Sequence, residues 1–525
     1  MKKENNGITL IALVITIIIL IILAGITLSL VLGKNGIIEK TKEAKNKTEL
    51  AKIEEQAAID NLNEYAENLG NVFDETKGIN KPKLDEGMIP IKWNGKQWEV
   101  TTEDDRDWYN YGIKEDNSDK LWANVMLSDG TYKAGNVAIG TQIEDNKLGS
   151  MFVWIPRYSY CITKGYHTNA QTYTDEISEK TGEIQVKFLR GATNVAADGT
   201  TVEQNPKLDT GNVETATKMT NYIVHPSFTN EKESGYANGG YDKELTGYWV
   251  AKFEASKEGE VQNNIASDNI NNANVKVLPG VQSWRYINIS NIYTVCANMV
   301  AQGNIYQLSS HVDSHMTKNS EWGAIAYLSN SQYGKTGEIW INPAGYYNTT
   351  TKIGEIYTGY ASTTSPNATG NYSDTATAPP TQIDNYKTGN GIQASNTGNI
   401  TGIYDLVGGS WEYVTAYLPD IQGNEYVNFF NETIPDKQKT KYVGIENSSK
   451  LTFQRNKEKF GDSLWEVTKI DKTTGNQNTW NKGFADFIYQ TWPVLRRGGY
   501  FYFGATSSEF AFIGFSRRNR CYKQF

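Results

Sequence analysis

The residues able to do chemistry are sparse in this 525-residue chain, and they stand far apart. Its three cysteines, Cys161, Cys296 and Cys521, are odd in number and include no CxxC pair. That spacing excludes a disulfide framework and a Cys/His zinc site, and leaves a Cys161–Cys296 bridge open. The four histidines are His167, His225, His311 and His315. His311 and His315 have the four-residue spacing that puts two imidazoles on one helix face, with Asp313 or Glu321 at hand as further ligands. They fall in a polar stretch ahead of a helix signal, however, and no HExxH motif accompanies them, so no metal is expected. There is no GxSxG elbow and no phosphate-cradling lysine loop, and the scattered carboxylates define no acid/base pair. The expectation is a protein without catalysis and without a cofactor.

Residues suited to recognition gather at the other end. Tyr500, Phe501, Tyr502 and Phe503 are four consecutive aromatics. In a strand their side chains alternate, so two face the core and two face outward. Thr506, Ser507, Ile513, Phe515, Arg517, Arg518, Asn519, Arg520 and Tyr522 follow. Tyr, Phe, Ser, Asn and Arg dominate protein recognition surfaces. The expected partner is a protein or glycan at the cell surface. Nucleic acid is excluded, because a net charge of −8 comes with no basic stripe.

These residues need elements to position them. With 47 glycines and 32 tyrosines, the composition points to an irregular, loop-rich α+β body rather than a helical bundle. The run Ile8–Leu32 is uncharged and apolar, long enough to span a bilayer as a helix. Residues 34–70 read as an amphipathic helical stalk. Leu50, Ile53 and Ala57, then Ala58, Leu62, Tyr65 and Leu69, recur at three- and four-residue steps, and Gly70 is a natural stop. At 1.5 Å per residue such a stalk reaches roughly 50 Å. Residues 71–150 read as a linker and a small β-rich region, with strands at MIPIKW, QWEVTT and KLWANVML. The main domain is expected over 151–525, beginning at MFVWIPRYSY, with a polar surface insertion around 163–247 and a variable-type segment at 496–525.

Two family resemblances add to this. The short basic leader MKKENNG, with Gly7 directly before the apolar run, resembles a type IV prepilin N-terminus. That resemblance implies cleavage between Gly7 and Ile8, a cytoplasmic N-terminus with the rest outside the cell, and contact with pilus or secretion machinery. Pilins carry a glutamate at the fifth mature position; here it is Ala12, which favours a membrane tether or a minor pilus component.

The second rests on GYWVAKFEAS (247–256), SHMTKNSEWGAIAYLSNSQYG (314–334), GIYDLVGGSWEYV (402–414) and LRRGGYFYFGATSSEFAFIGF (495–515). In order and spacing these resemble the formylglycine-generating-enzyme, or sulfatase-modifying-factor, family, which implies a C-type-lectin-like fold. Within them NSEWGAIAYL signals a helix with Trp322, Ile325 and Leu328 on one face. Gly408 and Gly409 suit a positive-φ turn between two strands. Trp411 is expected in the core, and Glu412 is expected to accept backbone or arginine hydrogen bonds. Arg497, before Gly498 and Gly499, is the candidate partner for that carboxylate. The family's oxidases need two close C-terminal cysteines; only Cys521 is present, which again argues against catalysis. The C-terminal frame is also similar to the variable region of retroelement-diversified lectin-like proteins, whose rewritten residues form the ligand face. Past Phe515 that family continues with more glycines and a closing strand, and SRRNRCYKQF departs from this pattern.

Overall fold

The computed structural model describes residues 14–23, 45, 47–48, 52, 72–167, 184–230, 240–259, 261, 268–444, 453–470, 477–478, 487–488 and 490–502. The chain divides into two units, Met1–Asn71 and Val72–Phe525. In the first, residues 14–23 are helical and their side chains are exposed, as the apolar run leads one to expect. Among the described residues no helix is long and apolar enough to cross a membrane. The rest of Ile8–Leu32, most of the stalk, and Gly7 and Ile8 lie outside the described residues.

The second unit is α+β, built from many short sheets and few helices. Its largest sheet has six antiparallel strands. In order they are Gly247–Ala251, Met151–Pro156, Asn124–Leu127, Met88–Trp93, Trp98–Val100 and Gln142–Ile143. The strand at Met88–Trp93 forms because its apolar residues alternate, so Ile89 and Ile91 both turn into the core. This sheet overturns the division expected at residue 150. Four of its six strands precede that point, and one of them, Asn124–Leu127, pairs directly with Met151–Pro156, so 72–150 belongs to the same unit as the rest.

Pro156 and Arg157 carry the chain from this sheet into a second one. There Tyr158–Ile162 lies between Ile184–Phe188 and Ile223–Val224. Arg157 is buried at the corner, donating to the carbonyls of Thr193 (2.8 Å) and Phe228 (2.7 Å) and pairing with Glu244 at 2.7 Å. The region expected as a surface insertion thus supplies two strands, and Val186, Phe188, Met219 and Phe228 are core residues. Its signal, the alternation in Ile184–Phe188, is diluted by the polar residues around it.

The helix expected from NSEWGAIAYL is present at Asn319–Ser329 (α1). It is buried on every side rather than along one face. A helix with small and apolar residues all round can do this, provided its few polar groups find partners. Asn319 meets the Tyr442 hydroxyl at 2.6 Å, and the Ser329 hydroxyl donates to the Ile325 carbonyl at 2.6 Å. Against this helix packs a three-stranded sheet in which Glu412–Tyr417 lies between Thr440–Lys441 (parallel) and Val494–Arg497 (antiparallel). No regular strand precedes the glycine pair: residues 402–407 are irregular.

The undivided sheet gives a first prediction. A chain starting at residue 72 should melt cooperatively in calorimetry, whereas one starting at residue 151, which lacks four sheet strands, should show no cooperative transition.

Candidate ligand-binding face

The platform beneath the C-terminal aromatics is a glycine turn. Gly408 and Gly409 have φ of +89° and +60°, the left-handed region that favours glycine. A Cβ on Gly409 would lie 2.2 Å from the Glu254 carboxylate, so the turn also needs glycine for space. Two backbone hydrogen bonds fasten residues 498–501 to it, and a third ties the turn to Asn342. Gly408 donates to Gly498 (2.9 Å), Gly409 to Asn342 (3.0 Å) and Phe501 to Gly409 (2.8 Å).

Under the turn lie two buried carboxyl groups, Glu254 and Asp405, and the half-buried Glu412. Glu254 accepts from the Ser410 amide at 2.6 Å and from the Ser283 hydroxyl. Asp405 accepts from Asn342 Nδ2 and the Gly359 amide, both at 2.8 Å. Desolvation pushes all three upward; Asp405 also raises Glu412, and both raise Glu254, so Asp405 sits at about 6, Glu412 at about 8, and Glu254 well above the usual carboxylate range.

Arg497 does not pair with Glu412, although the two stand directly opposite in register. Its fully buried guanidinium turns instead to α1 and the 462–463 turn. It donates to Asn319 Oδ1 (2.8 Å), the Ser463 carbonyl (3.2 Å) and the Asp462 carbonyl (2.5 Å), and lies 4.5 Å from the Trp322 ring centroid. Those carbonyls sit at the depth the guanidinium reaches. Burial lowers its pKa to about 10, so it stays charged at neutral pH.

Trp411, expected in the core, is instead half-buried at the surface. One stacking partner is Tyr500, at 4.7 Å and 19°. The Arg496 guanidinium lies 4.5 Å from the Trp411 ring, with Tyr413 and Trp492 within 6 Å of it, and Trp492 is 44% exposed. A second stack runs Tyr347, Tyr372, Tyr502, with centroid spacings of 5.3 and 4.4 Å. Phe501 lies between the two stacks and is 0% exposed. Its ring fills the space beside Gly345 and Gly370, where a Cβ would meet it at 2.8 and 2.2 Å. The Phe501 carbonyl accepts from the Gly370 amide at 2.8 Å.

The expected alternation therefore holds for the described residues, but on a turn instead of a strand. Tyr500 and Tyr502 are half-exposed, while Phe501 is an anchor removed from any ligand. Phe503, Thr506, Ser507, Ile513, Phe515, Arg517, Arg518, Asn519, Arg520 and Tyr522 lie outside the described residues, as does Cys521. Sequence reading missed Tyr347, Tyr372, Tyr413, Trp492 and Arg496. Tyr347 and Tyr372 are far from residue 500 in sequence, and only the fold brings them to one place.

His311 and His315 do not share a helix face. His311 is exposed on a turn, and the segment from it to Lys318 is not helical. Among the described residues no group of three or more His, Cys, Asp or Glu side chains could hold a metal ion. His315 is clamped instead, with Nδ1 3.0 Å from Asp313 and Nε2 3.1 Å from Glu321. A carboxylate on each ring nitrogen requires both to carry protons. Burial opposes the charge, yet Glu321 and Asp313 hold the imidazolium at about 9. The Tyr241 hydroxyl also donates to Glu321, and Lys437 pairs with Asp313 at 2.9 Å. Cys161 and Cys296 are free thiols, pushed up by burial to about 11 and about 12, which makes them poor nucleophiles at neutral pH.

Neither the protein-family models nor the curated proteins compared with this chain give a match.

The clamp gives a pH prediction. His315 is raised in the folded state above its ordinary value of about 6.5, so its stabilisation is complete below that pH and is lost as pH rises through about 9. His315→Gln should cost about 3–5 kcal/mol at pH 6. In urea titrations the gap between wild type and variant should narrow by pH 10.

Proposed function

We propose that this protein is a non-catalytic recognition protein, tethered to a bacterial membrane through Ile8–Leu32, that binds a protein or glycan through its C-terminal aromatic face. The observation that carries this reading is the arrangement about Phe501. One buried ring anchors the chain end, and its two neighbours extend surface stacks of Tyr, Trp and Arg. Such residues offer large contact area with few rotatable bonds, so holding them still on binding costs little entropy. Here the stacking and the glycine turn hold them in place beforehand.

The same reading takes the body as a C-type-lectin-like domain of the formylglycine-generating-enzyme type, on the strength of the four sequence stretches. Its C-terminal segment would be the part a retroelement rewrites. The anchoring arrangement suits that role, since Phe501 and the glycines support the face while the side chains beyond can vary.

Screening the full-length protein against glycan and cell-surface protein arrays tests the proposal. Tyr502→Ala and Trp411→Ala should each weaken a detected ligand at least tenfold while the melting temperature stays within about 2 °C, a surface-type effect. Unchanged affinity in both variants would sink it. Phe501→Ala should instead lower stability by about 3–5 kcal/mol, as for a buried aromatic.

A further inference from the structure

The largest sheet ends on Gly247–Ala251, and this strand has a neighbour on one side only. The phase of its pairing is fixed at both ends. The Lys252 amide donates to the Met151 carbonyl at 3.0 Å, and the Arg157 amide donates to the Thr246 carbonyl at 2.9 Å. In an antiparallel ladder, bonded and non-bonded residues alternate. Thr246, Tyr248, Val250 and Lys252 therefore bond toward Met151–Pro156, and Gly247, Trp249 and Ala251 turn their amides and carbonyls to the open side. Among the described residues nothing bonds to those groups. Ala251 is exposed, and Gly247 and Trp249 are half-buried. The side chains meanwhile hold the strand firmly against the body. Trp249 packs edge-on against Trp154 at 5.3 Å, and Tyr248 stacks on Phe228 at 5.1 Å.

Folded proteins guard such edges with charge, proline, shortness or a cover. Two other edges in this protein are guarded. At Ile184–Phe188 the Gln332 side chain caps the strand, accepting from the Val186 amide at 3.3 Å and donating to its carbonyl at 2.8 Å. The opposite edge of the largest sheet, Gln142–Ile143, is only two residues long. Gly247–Ala251 reads GYWVA, with neither charge nor proline and with three strong strand formers. A second copy of the same strand satisfies every open group. With a two-fold axis through Trp249, Trp249 faces the partner's Trp249 and Gly247 faces the partner's Ala251, which makes about six hydrogen bonds. Tyr248 then lies opposite the partner's Val250, an aromatic and β-branched pair. Each copy carries a net charge of −8, yet this strand contributes none of it, so no like charges are set against each other along the strand. At one bond per 100–200 Å², six bonds correspond to about 600–1,200 Å² of interface, the weak end for specific association.

We propose that two copies of this chain pair along Gly247–Ala251, antiparallel and centred on Trp249, into a weak dimer with one continuous sheet. Pairing of this size suits copies held on one membrane, where effective concentration is high. That advantage rests on the tether proposed above; the pairing itself does not.

Light scattering and amide hydrogen exchange test this on the full-length protein in detergent micelles, over a hundredfold range of concentration. The mass should rise from one chain toward two. The Tyr248 and Val250 amides should exchange slowly throughout, whereas those of Gly247, Trp249 and Ala251 should slow only as the dimer forms. Ala251→Pro removes an amide on the open side and leaves the ladder to Met151–Pro156 in place. Ala251→Lys adds a guarding charge at an exposed position, and serves should the proline variant fold poorly. Both variants should stay monomeric over the same range, with the Trp249 amide exchanging fast. A single-chain mass at every concentration overturns the proposal, as does a dimer that both variants leave intact. Slow exchange at Trp249 and Ala251 that is independent of concentration also overturns it, since another part of the same chain would then cover the edge. None of these measurements needs a ligand, so their failure is distinct from failure of the aromatic face to bind.

Discussion

An irregular backbone taken out of water must still satisfy its amides and carbonyls, and that constraint governs the construction of this molecule. Its strands run from two to six residues, so sheet ladders supply only part of the hydrogen bonding. Buried side chains act as surrogate backbone. Lys252 donates to the carbonyls of Ile400 (2.8 Å) and Gly402 (2.6 Å), and Lys439 to those of Phe430 and Ile434, both at 2.6 Å. Arg157 does the same at the corner between two sheets. Each unmet carbonyl would cost about 1–3 kcal/mol, and one lysine satisfies two of them, while burial pushes the Lys252 ammonium well below its ordinary value.

Arg497 extends this principle to the recognition face. It closes the strand Val494–Arg497 and reaches inward to α1 and the 462–463 turn, tying three distant parts of the chain to one guanidinium. Four residues later Phe501 fills the space left by Gly345 and Gly370. Between these two buried anchors run Gly498, Gly499 and Tyr500, and from them the face is built outward. The body can therefore be rigid directly beneath side chains that are half in water.

Much of this scaffold was legible in the sequence where periodicity was local. The strand at Met88–Trp93, the helix at Asn319–Ser329 and the positive φ of Gly408 and Gly409 all follow from patterns within a few residues. What was not legible depended on long-range partners. Arg497 and Glu412 are the natural pair by type and by register, yet carbonyls contributed from 462 and 463 claim the guanidinium. Trp411 reads as core by composition, but it follows the glycine turn at the surface and finds Tyr500 and Arg496. Residues 184–230 read as surface because polar residues outnumber the few apolar ones that form strands. In the same way Tyr347 and Tyr372 carry no signal of their own.

The partner that Arg497 takes also sets how the platform responds to pH. Paired with a guanidinium, Glu412 would be held ionised, and folding would gain stability as pH rose through the carboxylate range. Without it, burial and the neighbouring Asp405 hold Glu412 at about 8, above its unfolded value. A raised carboxyl keeps its proton in the folded state after the unfolded chain has lost its own. Stability is then full below about pH 4.5 for that group and falls as pH climbs toward 8. His315 acts in the same direction over a higher window, through about 9. The glycine turn and the His315 clamp thus share a preference for the acid side of neutrality, the first because Arg497 leaves Glu412 unpaired and the second because Asp313 and Glu321 hold the imidazolium.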